Sequence, residues 1–346
     1  MTIQEFSKKF DTHLFSFLEE KLKHYKKLLQ DKDLETFISH IEDYTRGGKR
    51  LRPYGAYIGL MEAGKRTNPS DWMVMVSLEL IHVLALVHDD IIDKADDRRG
   101  VVSLHTYAAQ QASLVRGDRV HYGNSQAILV GDLVFSAAFE ALSRAKASSF
   151  VQKTVHELLD EVILGQMIDV KLAYSETASK NLILRKSKYK TALYTFARPF
   201  EIGARLAKLS PKKQTELFQI GELLGVTYQI QDDLLDVFGN EKILQKQIMN
   251  DIREGQQTLL TDYFWNHANE NQKQLFSQYF GNRFSSKEIP AIQNILREVG
   301  VEQYLRKELA KYFSKTKKAI DFSSLSKETQ ARLMVLVESL EKRSSL

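Results

Sequence analysis

Val87-His88-Asp89-Asp90-Ile91-Ile92-Asp93 closes an apolar run that begins at Met73. Three carboxylates therefore sit on an element that otherwise wants to be buried. At helical spacing Asp89 and Asp93 are i and i+4, stacked on one face, with Asp90 about 100° away on the same rim. Like charges so placed repel, and burial makes this worse, so a cation between them is expected. Oxygen-only ligands on a rigid frame suit a hard divalent ion, and sparse protein ligation suits Mg²⁺ that keeps its waters and meets a substrate phosphate. The same spacing recurs at Asp232-Asp233-Leu234-Leu235-Asp236, again after an apolar helix. One such triplet is usually solvated surface. Two of identical spacing, each on a helix of buried type, point to carboxylate rims that clamp a diphosphate through metal ions and neutralise a leaving group.

The rest of the chain is composed to serve such helices. Its 346 residues are 43% hydrophobic, ample for a core, with 17 Gly and only 5 Pro spaced far apart, so long helices can run almost everywhere. Strand signals are scarce, and no linker or solenoid-period repeat divides the chain. A single all-α domain over residues 1–346 is expected, closing with three or more amphipathic helices. Without cysteine there are no disulfides, thiolate nucleophiles, Cys-ligated zinc or iron–sulfur clusters, which fits a cytoplasmic protein. Residues 1–29 lack a signal-peptide core. The apolar window 73–87 is short for a span and carries Glu79 and His82, so no transmembrane segment is expected. With 49 basic against 44 acidic residues, net charge does not choose between anionic small molecules, lipid surfaces and nucleic acid.

Read in order, residues 3–29 repeat apolar side chains at steps of three and four, predicting an amphipathic helix. A second helix over 33–46 stops at Gly47-Gly48, followed by Lys49-Arg50-Leu51-Arg52-Pro53, with Pro53 suited to a helix start. Lys49 and Arg52 thus stand at a glycine-freed corner where cations and amides can face an anion. Asn68-Pro69 starts the helix that carries His82 and the first triplet; His82 can reach a phosphate, whereas His88 reads as a core histidine. Arg98 and Arg99 follow, and two guanidinium forks beside a metal–phosphate site suit oxygen recognition. Residues 104–125 read as a polar surface loop or lid before a helix over 126–145. A helix over 150–173 carries Gly165-Gln166-Met167-Ile168-Asp169. The next opens at Lys188 and carries Lys190 and Thr191, with a kink expected at Pro199. The helix over 212–231 brings Gln229 one turn before the second triplet, and Lys246 and Asp251-Ile252-Arg253-Glu254-Gly255 lie beyond.

Together these motifs resemble the trans-isoprenyl diphosphate synthases, or polyprenyl synthetases, from Gly47 to Thr258. The resemblance implies an all-α, barrel-like bundle around a deep central cavity, usually a homodimer. It implies an Mg²⁺-assisted prenyltransferase that condenses isopentenyl diphosphate with an allylic diphosphate. Carried over residue by residue, Asp89, Asp93 and Asp232 resemble the main Mg²⁺ ligands, with Asp90, Asp233 and Asp236 in support, partly through water. Arg98, Lys190 and Lys246 look like contacts to the allylic diphosphate. Lys49, Arg52, His82 and Arg99 look like contacts to isopentenyl diphosphate, and Thr191 and Gln229 like dipoles facing an allylic cation. Gln256 departs from the pattern, since the family often has lysine there. Leu84 and Ala85 match the positions that form the floor for the growing chain. Neither is aromatic, which favours a product longer than farnesyl, geranylgeranyl or beyond, unless Phe135, Phe139 or Met167 sets the floor instead.

Three rivals remain at this point. A metal phosphohydrolase needs imidazole ligands, which the second triplet lacks, and leaves Lys190, Thr191 and Gln229 unexplained. A terpene cyclase has no need of a second diphosphate pocket, so Lys49, Arg52 and Arg99 argue for condensation. A silent partner subunit should lose triplet carboxylates, yet all six are present; the chain can still be the catalytic half of a heteromeric long-chain synthase.

Overall fold

The computed structural model describes residues 1–98, 100–111, 116–175, 178–240 and 248–344. Among them the strands are two residues each, β1 (Asp97–Arg98) and β2 (Val101–Val102), paired antiparallel; nearly everything else is helix. The chain groups into two units, Met1–Tyr57 with Arg66–Gln152, and Ile58–Lys65 with Lys153–Leu346.

In the first unit, α1 (Ile3–Leu29) opens with a capping box in which Thr2 and Glu5 satisfy each other's backbone donors. Its buried face of Phe6, Phe10, Leu14, Leu18 and Leu22 follows the predicted period. Phe6 seats among Tyr54, Tyr57 and Trp72 at ring-centroid distances of 5.3, 5.1 and 5.7 Å. α2 (Lys32–Thr45) stops before Gly47, whose φ of +77° is the left-handed conformation glycine adopts freely. Arg50 also lies at positive φ, +53°, held by its buried guanidinium. That group donates to Asp11 and Glu79 at 2.7 Å each and to the Thr45 carbonyl at 3.0 Å. α3 (Leu51–Met61) starts two residues before Pro53.

α4 (Pro69–Ile92) begins, as the sequence predicts, at an Asn68 cap, with Asp71 closing a capping box. Its Val74, Met75, Val76, Leu78, Leu80 and Ile81 are fully buried, and it packs along α6 (Arg119–Arg144). By length and composition alone both helices are apolar enough to cross a membrane, but 67% of the apolar window of α4 and 44% of that of α6 are buried inside the protein. The expected loop over 104–125 is corrected: Leu104–Gln111 form α5, and α6 begins at Arg119, with Asp118 accepting from the Val120 and His121 amides. Leu104 and Ala108 bury one side of α5, which lies close to Gly123.

The second unit is arranged along α10 (Pro211–Phe238). Upstream lie α7 (Ser149–Ala173), which begins in the first unit, α8 (Lys180–Lys186), a π-helix (Ser187–Ala197) and α9 (Arg198–Leu206). The chain stays helical up to and through Pro199: the π-helix runs directly into α9, with Ala197 and Arg198 both in right-handed helical conformation. The wider turn of the π-helix meets three glycines. A Cβ at Gly165 of α7 would lie 2.5 Å from the Lys190 nitrogen, and at Gly221 and Gly225 of α10 it would lie 2.6 and 2.3 Å from the Ala197 and Ala192 Cα atoms. Backbone meets backbone there. Downstream come α11 (Asn250–Arg253), α12 (Leu259–His267), α13 (Glu270–Ser277), α14 (Ile289–Glu298), α15 (Val301–Asp321) and α16 (Lys327–Ser344), with α15 packed along α10.

Candidate active site

The last turn of α4 supplies Asp89, and Asp93 caps that helix, its amide donating to the Asp89 carbonyl at 2.8 Å. Asp90, expected on the same rim, is instead turned inward and is only 1% exposed, because the 100° step carries it toward α2 and the hairpin. There its Oδ2 accepts from the Tyr44 hydroxyl at 2.5 Å, and its Oδ1 accepts from Arg98 Nε at 2.7 Å and from the Arg98 terminal nitrogen Nη2. The same Nη2 reaches Asp89 at 3.5 Å. Burial, and then the Asp90 charge, push the Tyr44 hydroxyl well above its ordinary pKa, so it remains a proton donor. Arg98 arrives on β1. The hairpin is fastened by the Ser103 amide to the Asp96 carbonyl at 3.0 Å and by His40 Nε2 against the Val102 carbonyl at 2.8 Å.

On the preceding turns of α4, His82, Leu84 and Ala85 are half-buried. Leu84 and His88 lie against Gly131 of α6, where a Cβ would sit 3.4 Å from Leu84 Cδ1 and 2.5 Å from His88 Nε2. His88 is therefore packed against a helix backbone, in keeping with a core histidine. Phe135 and Phe139 meet edge to face at 4.9 Å on α6. Lys49 is exposed and Arg52 half-buried at the head of α3.

In the second unit, the Thr191 hydroxyl donates to Gln229 Oε1 at 2.6 Å, and Gln229 Nε2 donates to Asp233 Oδ1 at 2.7 Å. Asp232 is half-buried, whereas Asp233 and Asp236 face inward. Asp236 accepts the Asp251 amide at 3.0 Å and so fixes the start of α11. Burial, reinforced by the Asp251 charge, pushes the Asp233 carboxyl up to about 8. Lys190 pairs with Asp169, which also takes Lys186 at 3.0 Å. Burial disfavours the Asp169 charge, but the two ammonium groups outweigh it and hold its pKa below the ordinary carboxylate range. Gln256 is buried with its side-chain oxygen unpartnered, and Met167, a candidate for the floor, is 63% exposed. Arg99 and Lys246 lie outside the described residues.

Among the described residues no three His, Cys, Asp or Glu side chains gather into a protein-only metal cage. The donor chemistry still fits Mg²⁺. The rims offer carboxylate oxygens alone, the hard donors that suit such an ion, and Asp89, Asp93 and Asp232 keep theirs half-buried rather than closed in. Sequence reasoning missed Tyr44 entirely and left Asp169 and Lys186 without roles.

The fold and these paired carboxylate motifs define an all-α enzyme of the isoprenoid synthase type. The chain superposes on a geranylgeranyl pyrophosphate synthase from Corynebacterium glutamicum, complexed with isoprenyl diphosphate and magnesium, with a TM-score of 0.89 and 29% identity over 99% of this chain and 100% of that one. It is 34% identical over 260 residues to a short chain isoprenyl diphosphate synthase of Methanocaldococcus jannaschii, covering 72% of this chain and 71% of its relative. A geranylgeranyl diphosphate synthase of Methanosarcina mazei is 32% identical over 222 residues, 62% of each chain. The polyprenyl synthetase family model matches residues 34–298, and the chain belongs to that family of prenyltransferases.

Proposed function

We propose that the protein condenses isopentenyl diphosphate with an allylic diphosphate to make a prenyl diphosphate of geranylgeranyl length or longer, working as a single catalytic domain. The family match runs through both units, which supports that last point. The observation that carries the reading is the Thr191–Gln229–Asp233 chain beside Asp232, which a hydrolase would not need. Thr191 spends its proton on Gln229, and Gln229 donates an amide hydrogen to Asp233. Oxygen lone pairs are thereby left at Thr191, the correct polarity to stabilise an allylic cation.

Asp89, Asp93 and Asp232 would hold Mg²⁺. Bound there, Mg²⁺ supplies Lewis-acid neutralisation of the departing diphosphate. Arg98 and Lys190, with Lys246, bind the allylic diphosphate as charge-assisted donors; Lys49, Arg52, His82 and Arg99 bind the isopentenyl diphosphate. The double bond of isopentenyl diphosphate attacks the cation, and a proton then leaves to the released pyrophosphate, so no side-chain base is required. Leu84 and Ala85 floor the growing chain.

A homodimer in the cytoplasm completes the proposal. Its support is α6, which exposes the adjacent apolar side chains of Ile128 and Leu129 at 44% and 58%, a patch that a second copy would cover.

Turnover of radiolabelled isopentenyl diphosphate with dimethylallyl, geranyl and farnesyl diphosphates, with and without Mg²⁺, tests the reaction. A Mg²⁺-dependent ladder ending at one length is expected, and Leu84→Phe should shorten it. No incorporation from any starter would overturn the proposal.

A further inference from the structure

We infer that Tyr44 is a positioning residue for prenyl transfer: it holds Asp90, and Asp90 in turn holds the Arg98 guanidinium where an allylic diphosphate meets it. This rests on the reading of Arg98 given above. The geometry divides the first triplet by task. Asp89 and Asp93 stay at the rim, half-buried, while Asp90 is closed in at 1% exposure. A carboxylate has about four lone-pair sites, and three of those on Asp90 are spent on protein donors, from Tyr44, Arg98 Nε and Arg98 Nη2. An Mg²⁺ ion that keeps its waters has no approach to such a group.

The consequence falls on Arg98. Its Nε and Nη2 are committed to Asp90 and Asp89, which leaves the two Nη1 hydrogens on a side chain that is 27% exposed. A guanidinium clamped along one edge presents the other with little rotational freedom, which is worth more to a phosphate than a mobile charge. Tyr44 makes the clamp rigid. Tyr44 is 5% exposed on α2, a separate helix from the triplet, and its hydroxyl partners the Asp90 oxygen that the Arg98 bonds leave open. Without that hydroxyl the carboxylate can rotate, and the Arg98 fork rotates with it.

The test compares Tyr44→Phe, Arg98→Ala and the double variant by steady-state kinetics, varying each diphosphate in turn, with a melting curve for each variant. Tyr44→Phe should raise KM for the allylic diphosphate about tenfold with KM for isopentenyl diphosphate unchanged. The double variant should be no worse than Arg98→Ala, because the two residues act through one contact. Tyr44→Phe kinetics like the parent, both KM values rising together, or additive effects in the double variant would each overturn the inference while leaving Arg98 as a substrate contact. If Arg98→Ala itself leaves the allylic KM unchanged, the reading of Arg98 fails and this inference fails with it. Should Tyr44→Phe not fold, Asp90→Asn carries the same comparison and the same expected split.

Discussion

Asp169 carries two lysines on one carboxylate, itself 4% exposed. Its folded pKa lies below the unfolded value near 4, so the folded protein resists protonation there more than the unfolded chain does. The resulting stability is fully present above about pH 4 and is lost as pH falls through the lower folded value. Asp169→Asn should therefore cost on the order of 3–5 kcal/mol at pH 7, by stranding the buried Lys186 ammonium, and should flatten the acid side of the stability profile. Denaturant titrations of both proteins at pH 7 and pH 3 check this; an equal loss of stability on acidification in parent and variant would contradict it. At this scale the sequence was half legible. The spacing marked both carboxylate triplets because charge on an apolar helix is conspicuous. It could not mark Tyr44, whose partner lies 46 residues away on another helix and whose ring looks like any core aromatic.

Helices are legible where their causes are local. α1 and α4 announce themselves through period and caps, and both lie where the pattern places them. α5 was taken for a loop because its composition is polar, although Asp118 was in place to cap the helix that follows. The π-helix is harder still. Nothing inside Ser187–Ala197 marks a wider turn, and the glycines at 165, 221 and 225 that let neighbouring backbones approach it lie on other elements. This gives a prediction at the same scale. Gly225→Ala puts a methyl 2.3 Å from the Ala192 Cα and must push back the segment that carries Lys190 and Thr191. A loss of about 1–3 kcal/mol is expected from overpacking, with a fall in kcat larger than the change in either KM. Thermal melts and steady-state kinetics together check it, and a variant with parent kinetics would show that the segment tolerates the shift.

For the molecule as a whole, the class of fold was written in helix-length apolar runs and sparse proline, and the family in the order of its motifs. Assembly was not, because a face that is apolar and uncovered looks in sequence like one that is apolar and buried. α6 is such a face. Ile128→Asp with Leu129→Asp should yield a monomer by sedimentation velocity, with a melting temperature that no longer depends on protein concentration. A dimer persisting in that variant would place the contact elsewhere. The glycine seats of the π-helix also bear on how an enzyme of this kind can diversify. At 165, 221 and 225 the smallest available change, one methyl group, strikes main chain, so no gradual series of variants leads away from the present arrangement. On α4 and α6 the close approaches involve side chains: a methyl added at Gly131 would come nearest the His88 ring and the end of Leu84, and Phe135 meets Phe139. With Leu84 and Ala85 flooring the product as proposed, drift in its length, natural or selected, has room to proceed by small steps on α4 and α6 while the segment holding Lys190 and Thr191 stays fixed.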